Sequence, residues 1–243
     1  MSSWIAVRGG SLISRRCNTT SLWFINLANN EIVDISPLEN TALIYLVMGN
    51  NKVVDASPLA GMDYFWSIDL SGNQIVDVSP FAEIGVIEVL NLNNNQIVDV
   101  SPLEEVDGLD WLYLAGNRIV DASAFKGNVG YFALDLRNQR ISLDDVTSGA
   151  PFALPKVIFR DDSRLPLSLA SGKGSIDGDT VTWSMPEGGQ GAFTWSKKYE
   201  REWVGDFDEF SGTITQNVLP APVVPGDVVE FKHVLAEIEV LRL

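Results

Sequence analysis

The stretch NQIVDVSPF, Asn73 to Phe81, returns almost unchanged as NQIVDVSPL, Asn95 to Leu103. On the frame L-x-L-x-x-N-x-I the shared asparagine falls at Asn30, Asn51, Asn73, Asn95 and Asn117, in steps of 21, 22, 22 and 22 residues, and Gln139 takes the next slot. A unit of this length is too small to bury an apolar face alone, but stacked units complete one continuous core. The first half of the chain therefore reads as a solenoid.

Each copy opens with an apolar pair two residues apart: Ile25 and Leu27, Leu46 and Met48, Ile68 and Leu70, Leu90 and Leu92, Leu112 and Leu114, Leu134 and Leu136. Spacing of two is strand alternation, so both members point inward and their neighbours outward. Stacked copies give a parallel sheet. The next inward residue is Ile32, Val53, Ile75, Ile97, Ile119 or Ile141, in the turn leaving the strand. The asparagine column reads as a ladder that satisfies backbone groups of its own turn and the next. In the DxSPL segments, Ser36, Ser57, Ser79 and Ser101 suit an N-cap, and Pro37, Pro58, Pro80 and Pro102 suit the first helical position, so each repeat returns through a short 3₁₀ or helical turn. The column Asp34, Asp55, Asp77, Asp99 and Asp121 supplies one carboxylate per repeat. It lacks the dense oxygen cluster of a calcium site.

The segments NNEIVDISPL, NNKVVDASPL and NQIVDVSPL and the closing LDLRNQRIS resemble the 22-residue leucine-rich repeats of the internalin family of bacterial surface proteins. The likeness is strong over residues 22–146. Internalins open with a helical cap, whereas residues 1–21 look like a degenerate first repeat: Ile5, Val7, Gly10 and Leu12 fit the slots of Ile25, Leu27, Asn30 and Ile32. An N-terminal cap is the alternative for this segment.

After Val146 the period stops. Residues 147–243 carry the strand-like runs PKVIF, TVTWSM, GAFTWSK, SGTITQNV and DVVEFKHVLAEIEVL between Gly, Pro, Asp and Ser clusters, the pattern of a β-sandwich. Trp183 alternates with Val181 and Met185 and is expected to fill that core. DGDTVTWSMPEG followed by FSGTITQNV is similar to the immunoglobulin-like domain fused to internalin repeats, which implies an all-β sandwich capping the solenoid. Trp195, Tyr199 and Trp203 then read as sandwich core or domain seam.

The chain of 243 residues has 32 acidic and 17 basic side chains, a formal charge of −15, which argues against nucleic acid or anionic lipid as partner. A single cysteine, Cys17, excludes an internal disulfide framework. No run reaches the roughly 18 apolar residues of a membrane span, and the N-terminus has no signal-peptide pattern. His233 is the only histidine, with no matching nucleophile, so no catalytic triad is supported. One histidine and one cysteine make a zinc site improbable. The acidic pairs Asp144 and Asp145, Asp161 and Asp162, and Glu104 and Glu105 read as solvated surface. The chain is expected to be no enzyme and to need no cofactor or metal.

The outward positions of the sheet form a grid that the fold leaves free to vary. Reading before, between and after each inward pair gives Phe24, Asn26, Ala28; Tyr45, Val47, Gly49; Ser67, Asp69, Ser71; Val89, Asn91, Asn93; Trp111, Tyr113, Ala115; and Ala133, Asp135, Arg137. Aromatics on a rigid wet sheet suit a protein interface, where Trp and Tyr concentrate binding energy. The candidate protein-binding residues are Trp111, Tyr113, Phe24 and Tyr45, with Asp69, Asn91 and Asn93 as a polar middle and Asp135 and Arg137 at the far end. The expected function is a monomeric, non-catalytic recognition and adhesion module, surface-borne or secreted by resemblance. The alternative is a regulatory or substrate-recognition segment of a larger enzyme or intracellular complex.

Overall fold

The computed structural model describes residues 5–8, 11–14, 23–126, 133–198 and 209–222. Strands β1 (Ile5–Arg8) and β2 (Ser11–Ser14) pair antiparallel as a sheet of their own. The N-terminal segment thus departs from the expected seventh parallel strand at Ile5 and Val7, because an antiparallel hairpin satisfies its own backbone locally.

The repeats enter one parallel sheet through β3 (Phe24–Asn26), β4 (Tyr45–Val47), β5 (Tyr64–Asp69), β6 (Val86–Asn91), β7 (Trp111–Tyr113) and β8 (Ala133–Thr147). Their register aligns the inward columns as the repeat requires, with Ile25, Leu46, Ile68, Leu90, Leu112 and Leu134 opposite one another in turn. All six are buried, as are Ile32, Val53, Ile75, Ile97 and Ile119 in the following turn. Ile141, the last of that column, is only half-buried.

The asparagines form the expected ladder. The Asn95 carboxamide oxygen accepts the Ile75 N–H at 3.0 Å, and its nitrogen donates to the carbonyls of Leu70 and Leu92, each at 3.0 Å. Gln139 reproduces this with one more methylene, accepting from Ile119 N–H at 3.0 Å and donating to the carbonyls of Leu114 and Leu136. The residue just before each ladder position turns left-handed, at Asn29, Asn50, Gly72, Asn94, Gly116 and Asn138, with φ between 55° and 74°. Asparagine and glycine share that slot because both tolerate positive φ.

The returns are 3₁₀ turns at Ser36–Leu38, Ser57–Leu59, Ser101–Glu105 and Ser123–Phe125, and a single α turn at Ser79–Ala82. The serines begin these turns but do not cap them. The cap-like acceptor is the aspartate two residues earlier: Asp34, Asp55, Asp77, Asp99 and Asp121 each accept the main-chain N–H of the following Ser at 2.8 or 2.9 Å. The acidic column is an Asx-turn column.

The remaining strands are β9 (Pro151–Ala153), β10 (Ser168–Ser171), β11 (Gly174–Asp177), β12 (Thr180–Trp183), β13 (Gly189–Lys198) and β14 (Glu209–Leu219). Two compact units interleave along the chain. The first holds the repeats through Ser142 together with Pro155–Leu169 and Phe193–Ile214; the second holds Leu143–Leu154, Ala170–Ala192 and Thr215–Leu243. Within the first unit the parallel sheet continues past β8 into β14 and then β13. Trp195 is buried there, edge-on to Phe210 at 5.7 Å, and Phe210 stacks on Phe159 at 6.3 Å. Tyr199, Trp203 and His233 lie outside the described residues.

In the second unit, β12 sits between β11 and β9 in an antiparallel three-stranded sheet. Trp183 fills its core as expected. It is fully buried, stacks on Phe152 at 6.2 Å, and donates its indole N–H to Gln216 Oε1 at 2.9 Å.

Candidate functional site: the outward face of the parallel sheet

The grid written from the sequence is present in the register. One column runs Phe24, Tyr45, Ser67, Val89, Trp111, Ala133, and the next runs Asn26, Val47, Asp69, Asn91, Tyr113, Asp135. Phe24 and Trp111 are exposed, while Tyr45 and Tyr113 are half-exposed.

The sheet has a third outward column that the period-two grid does not contain. Leu43 and Leu46, Phe65 and Ile68, Ile87 and Leu90, and Leu109 and Leu112 are all buried, and each pair is three residues apart. Regular alternation cannot bury both ends of such a pair, so two residues between them must face out. The backbone accommodates this with a bulge: the N–H groups of Ile44 and Tyr45 both reach the Trp23 carbonyl at 2.9 Å, and those of Trp66 and Ser67 both reach the Ile44 carbonyl. The extra outward positions are Trp23, Ile44, Trp66, Glu88 and Asp110. Trp23 is 57% exposed and Trp66 46%. The inward spacing of three was the available signal.

The aromatic surface is therefore larger than the sequence grid, and most of it lies toward the first repeats. Trp23, Phe24 and Tyr45 form a triad with ring centroids 6.0 to 6.4 Å apart. Trp66 shares the bulge column with Trp23, two strands on. Tyr64, also exposed on β5, donates its hydroxyl to Glu88 Oε1 at 2.6 Å. That bond to the carboxylate pushes the phenol up to about 12.

The polar candidates carry structural bonds. Asn26, Asp69, Asn91 and Asp135 each accept, through Oδ1, the main-chain N–H two residues on, at 3.0 to 3.2 Å. Asn93 Oδ1 accepts the Ala115 N–H at 2.7 Å. Asp135 is 3% exposed and holds Arg137 in a two-point pair, Nε at 2.9 Å and Nη2 at 2.8 Å. This pair keeps the guanidinium well above its ordinary range. Asp135 is thus turned to its neighbour, and Arg137 reaches solvent already partnered.

Among the described residues no group of three or more His, Cys, Asp or Glu side chains is placed to hold a metal ion. None of the helices described is long and apolar enough to cross a membrane. What this arrangement offers chemically is a firm, partly aromatic, acid-flanked surface for non-covalent contact.

No protein-family model matches the chain, and no curated protein matches it. Among solved structures it is similar to internalin C2 of Listeria monocytogenes, 27% identical, over 51% of this chain and 62% of that one, with a TM-score of 0.46. It is also similar to an internalin of the same organism, InlF, 30% identical, over 50% of this chain and 44% of that one, with a TM-score of 0.38. The chain spans less than two thirds of either. Its repeats are internalin-like in their own period, asparagine ladder and parallel sheet.

Proposed function

We propose that the chain is a non-catalytic protein-recognition module of an internalin-like surface or secreted protein, monomeric, with a protein partner seated on the outward face of the repeats. The observation that carries this is the row of exposed aromatics. Trp23, Phe24, Trp66 and Trp111 stand on a sheet whose buried columns are complete without them. A large ring left in water on a rigid backbone contributes little to folding and much to an interface, where such residues act as hot spots. The same reading makes the chain from residue 147 an immunoglobulin-like sandwich that serves the solenoid rather than the partner.

Site-specific photo-crosslinking tests it. A photoreactive residue placed at position 66 or 111 should capture a protein from intact cells or their secretions, and Trp111→Ala or Tyr113→Ala should weaken the complex tenfold to a hundredfold, roughly 1.4 to 3 kcal/mol. The same residue at position 98, on the turn leaving the sheet, should capture nothing. Equal capture from all three positions would end this reading.

A further inference from the structure

The charge surrounding the aromatic rows is one-sided. Residues 23–126 carry fifteen carboxylates against three bases, a net of −12. None of the three bases is on the outward face: Lys52 and Arg118 follow the ladder asparagines, and Lys126 follows the last 3₁₀ turn, where it pairs with Asp162. On the face itself Glu88 and Asp110 occupy the bulge column beyond Trp66, and Asp69 lies in the column running through Asn91 and Tyr113. Among the described residues the only base there, Arg137, is bound to Asp135. A groove beside Ile44 and Tyr64 has Asp63 as the one charged side chain in its lining.

We infer that the surface built from Trp23, Phe24, Trp66, Glu88 and Asp110 receives a cationic protein segment, with arginine or lysine side chains laid on the indole faces and their charges directed at the neighbouring carboxylates. This rests on the recognition reading above and narrows it to one chemistry. Indole is the strongest of the side-chain cation acceptors, and guanidinium stacks on it while keeping its hydrogen-bond donors free. A surface with one sign of charge also concentrates oppositely charged segments before contact. An acidic partner would meet uncompensated repulsion from Glu88, Asp110 and Asp63. A neutral oligosaccharide would use the rings and hydrogen-bond the carboxylates through its hydroxyls, but would gain no attraction from the net charge.

The test uses the full chain and an octa-arginine peptide, with octa-glutamate and a neutral chito-oligosaccharide as comparison ligands, followed by titration calorimetry at low and raised salt. Octa-arginine should bind, lose roughly fivefold or more on Trp66→Ala, and lose a similar factor on the double change Glu88→Gln with Asp110→Asn. Glu104→Gln, an exposed carboxylate on the 3₁₀ side, should leave binding unchanged. Trp66→Phe should restore part of the loss, which separates a ring-face contact from damage to the fold. Equal octa-arginine binding by wild type, Trp66→Ala and Glu104→Gln would mean diffuse attraction by net charge and would overturn the inference. So would tighter, Trp66-dependent binding of the chito-oligosaccharide. If position 66 still captures a protein while octa-arginine binding ignores Trp66, the cationic chemistry falls and the recognition face stands.

Discussion

Asn95 shows how much one carboxamide can hold, since it serves the Ile75 N–H and the Leu70 and Leu92 carbonyls across adjacent repeats. Asn95→Ala leaves the buried Ile75 N–H without its acceptor and takes one of two carboxamide donors from each of the Leu70 and Leu92 carbonyls, which keep Asn73 and Asn117, so it should cost about 1 to 3 kcal/mol, read by urea unfolding. Asn95→Gln should lose less than half of that, because Gln139 already makes the same three bonds in this chain. A glutamine variant as unstable as the alanine one would show that the ladder tolerates glutamine only at its last rung. The Asx column gives a pH signature. The Ser79 main-chain N–H, aided by its hydroxyl, holds the Asp77 carboxyl below the ordinary carboxylate range, as Ser36 does for Asp34. A lowered folded pKa contributes stability that is full above the unfolded value, about 3.9, and is lost as pH falls below it. Asp77→Ala should therefore melt below wild type at neutral pH, and the gap should close as the pH drops under about 4. A gap that persists in strong acid would remove the hydrogen bond as its cause. The ladder was legible because its residue repeats unchanged. The cap was not, since the Ser-Pro pair invites the serine while the acceptor sits two positions back.

At the scale of the strand, the decisive feature is the bulge that puts two consecutive residues outside. Phe65 is fully buried and its neighbour Trp66 is 46% exposed, so the two rings should respond oppositely to truncation. Phe65→Ala should cost about 3 to 5 kcal/mol, the usual loss for an emptied aromatic site, while Trp66→Ala should stay within about 1 kcal/mol. Trp111→Ala and Leu112→Ala should repeat the contrast one stripe further along, with roughly 2 to 5 kcal/mol for the leucine. Melting curves of the four variants read the register directly. If Trp66→Ala unfolds the protein as Phe65→Ala does, the bulge is misplaced and the outward column with it. Period-two reading found the columns of Phe24 and Asn26 because alternation holds from there onward. It missed Trp23 and Trp66 because alternation fails one residue earlier, where only the spacing of three between buried apolar residues reveals the turn-out. The polar middle was legible as outward-facing, but the N–H groups it accepts, two residues on for Asp69 and Asn91 and in the next repeat at Ala115 for Asn93, depend on backbone geometry that composition does not express.

At the scale of the molecule, the end of the period was legible and the path of the chain after it was not. Periodicity marks only the residues that repeat. Pro155–Leu169 and Phe193–Ile214 join the repeat unit through contacts made once, such as the pairing of Ile158 with Asp121 and the rings of Phe159, Trp195 and Phe210. These segments give the last prediction. Strand β8 has β14 hydrogen-bonded along one side, so a chain ended after Thr147 would present β8 as a bare sheet edge. It would also uncover the apolar end of the solenoid around Phe125, Leu134 and Leu136, all buried in the intact protein. An unpaired edge beside exposed apolar side chains is a template for association, and a solenoid without its terminal cover loses cooperativity from that end inward. The truncated protein should therefore aggregate, or unfold in a broadened transition at lower temperature. Sedimentation and calorimetry would read both outcomes. Gly212→Ala offers a gentler version in the full chain, because an added Cβ would lie 2.7 Å from the Gln139 carbonyl and 2.4 Å from the Trp195 ring, prying β14 from β8 without removing either. It should lower the melting temperature in the same sense. A truncated solenoid that stays monomeric with an unchanged transition would show that the repeats close their own end and that the later strands are not needed to cover it.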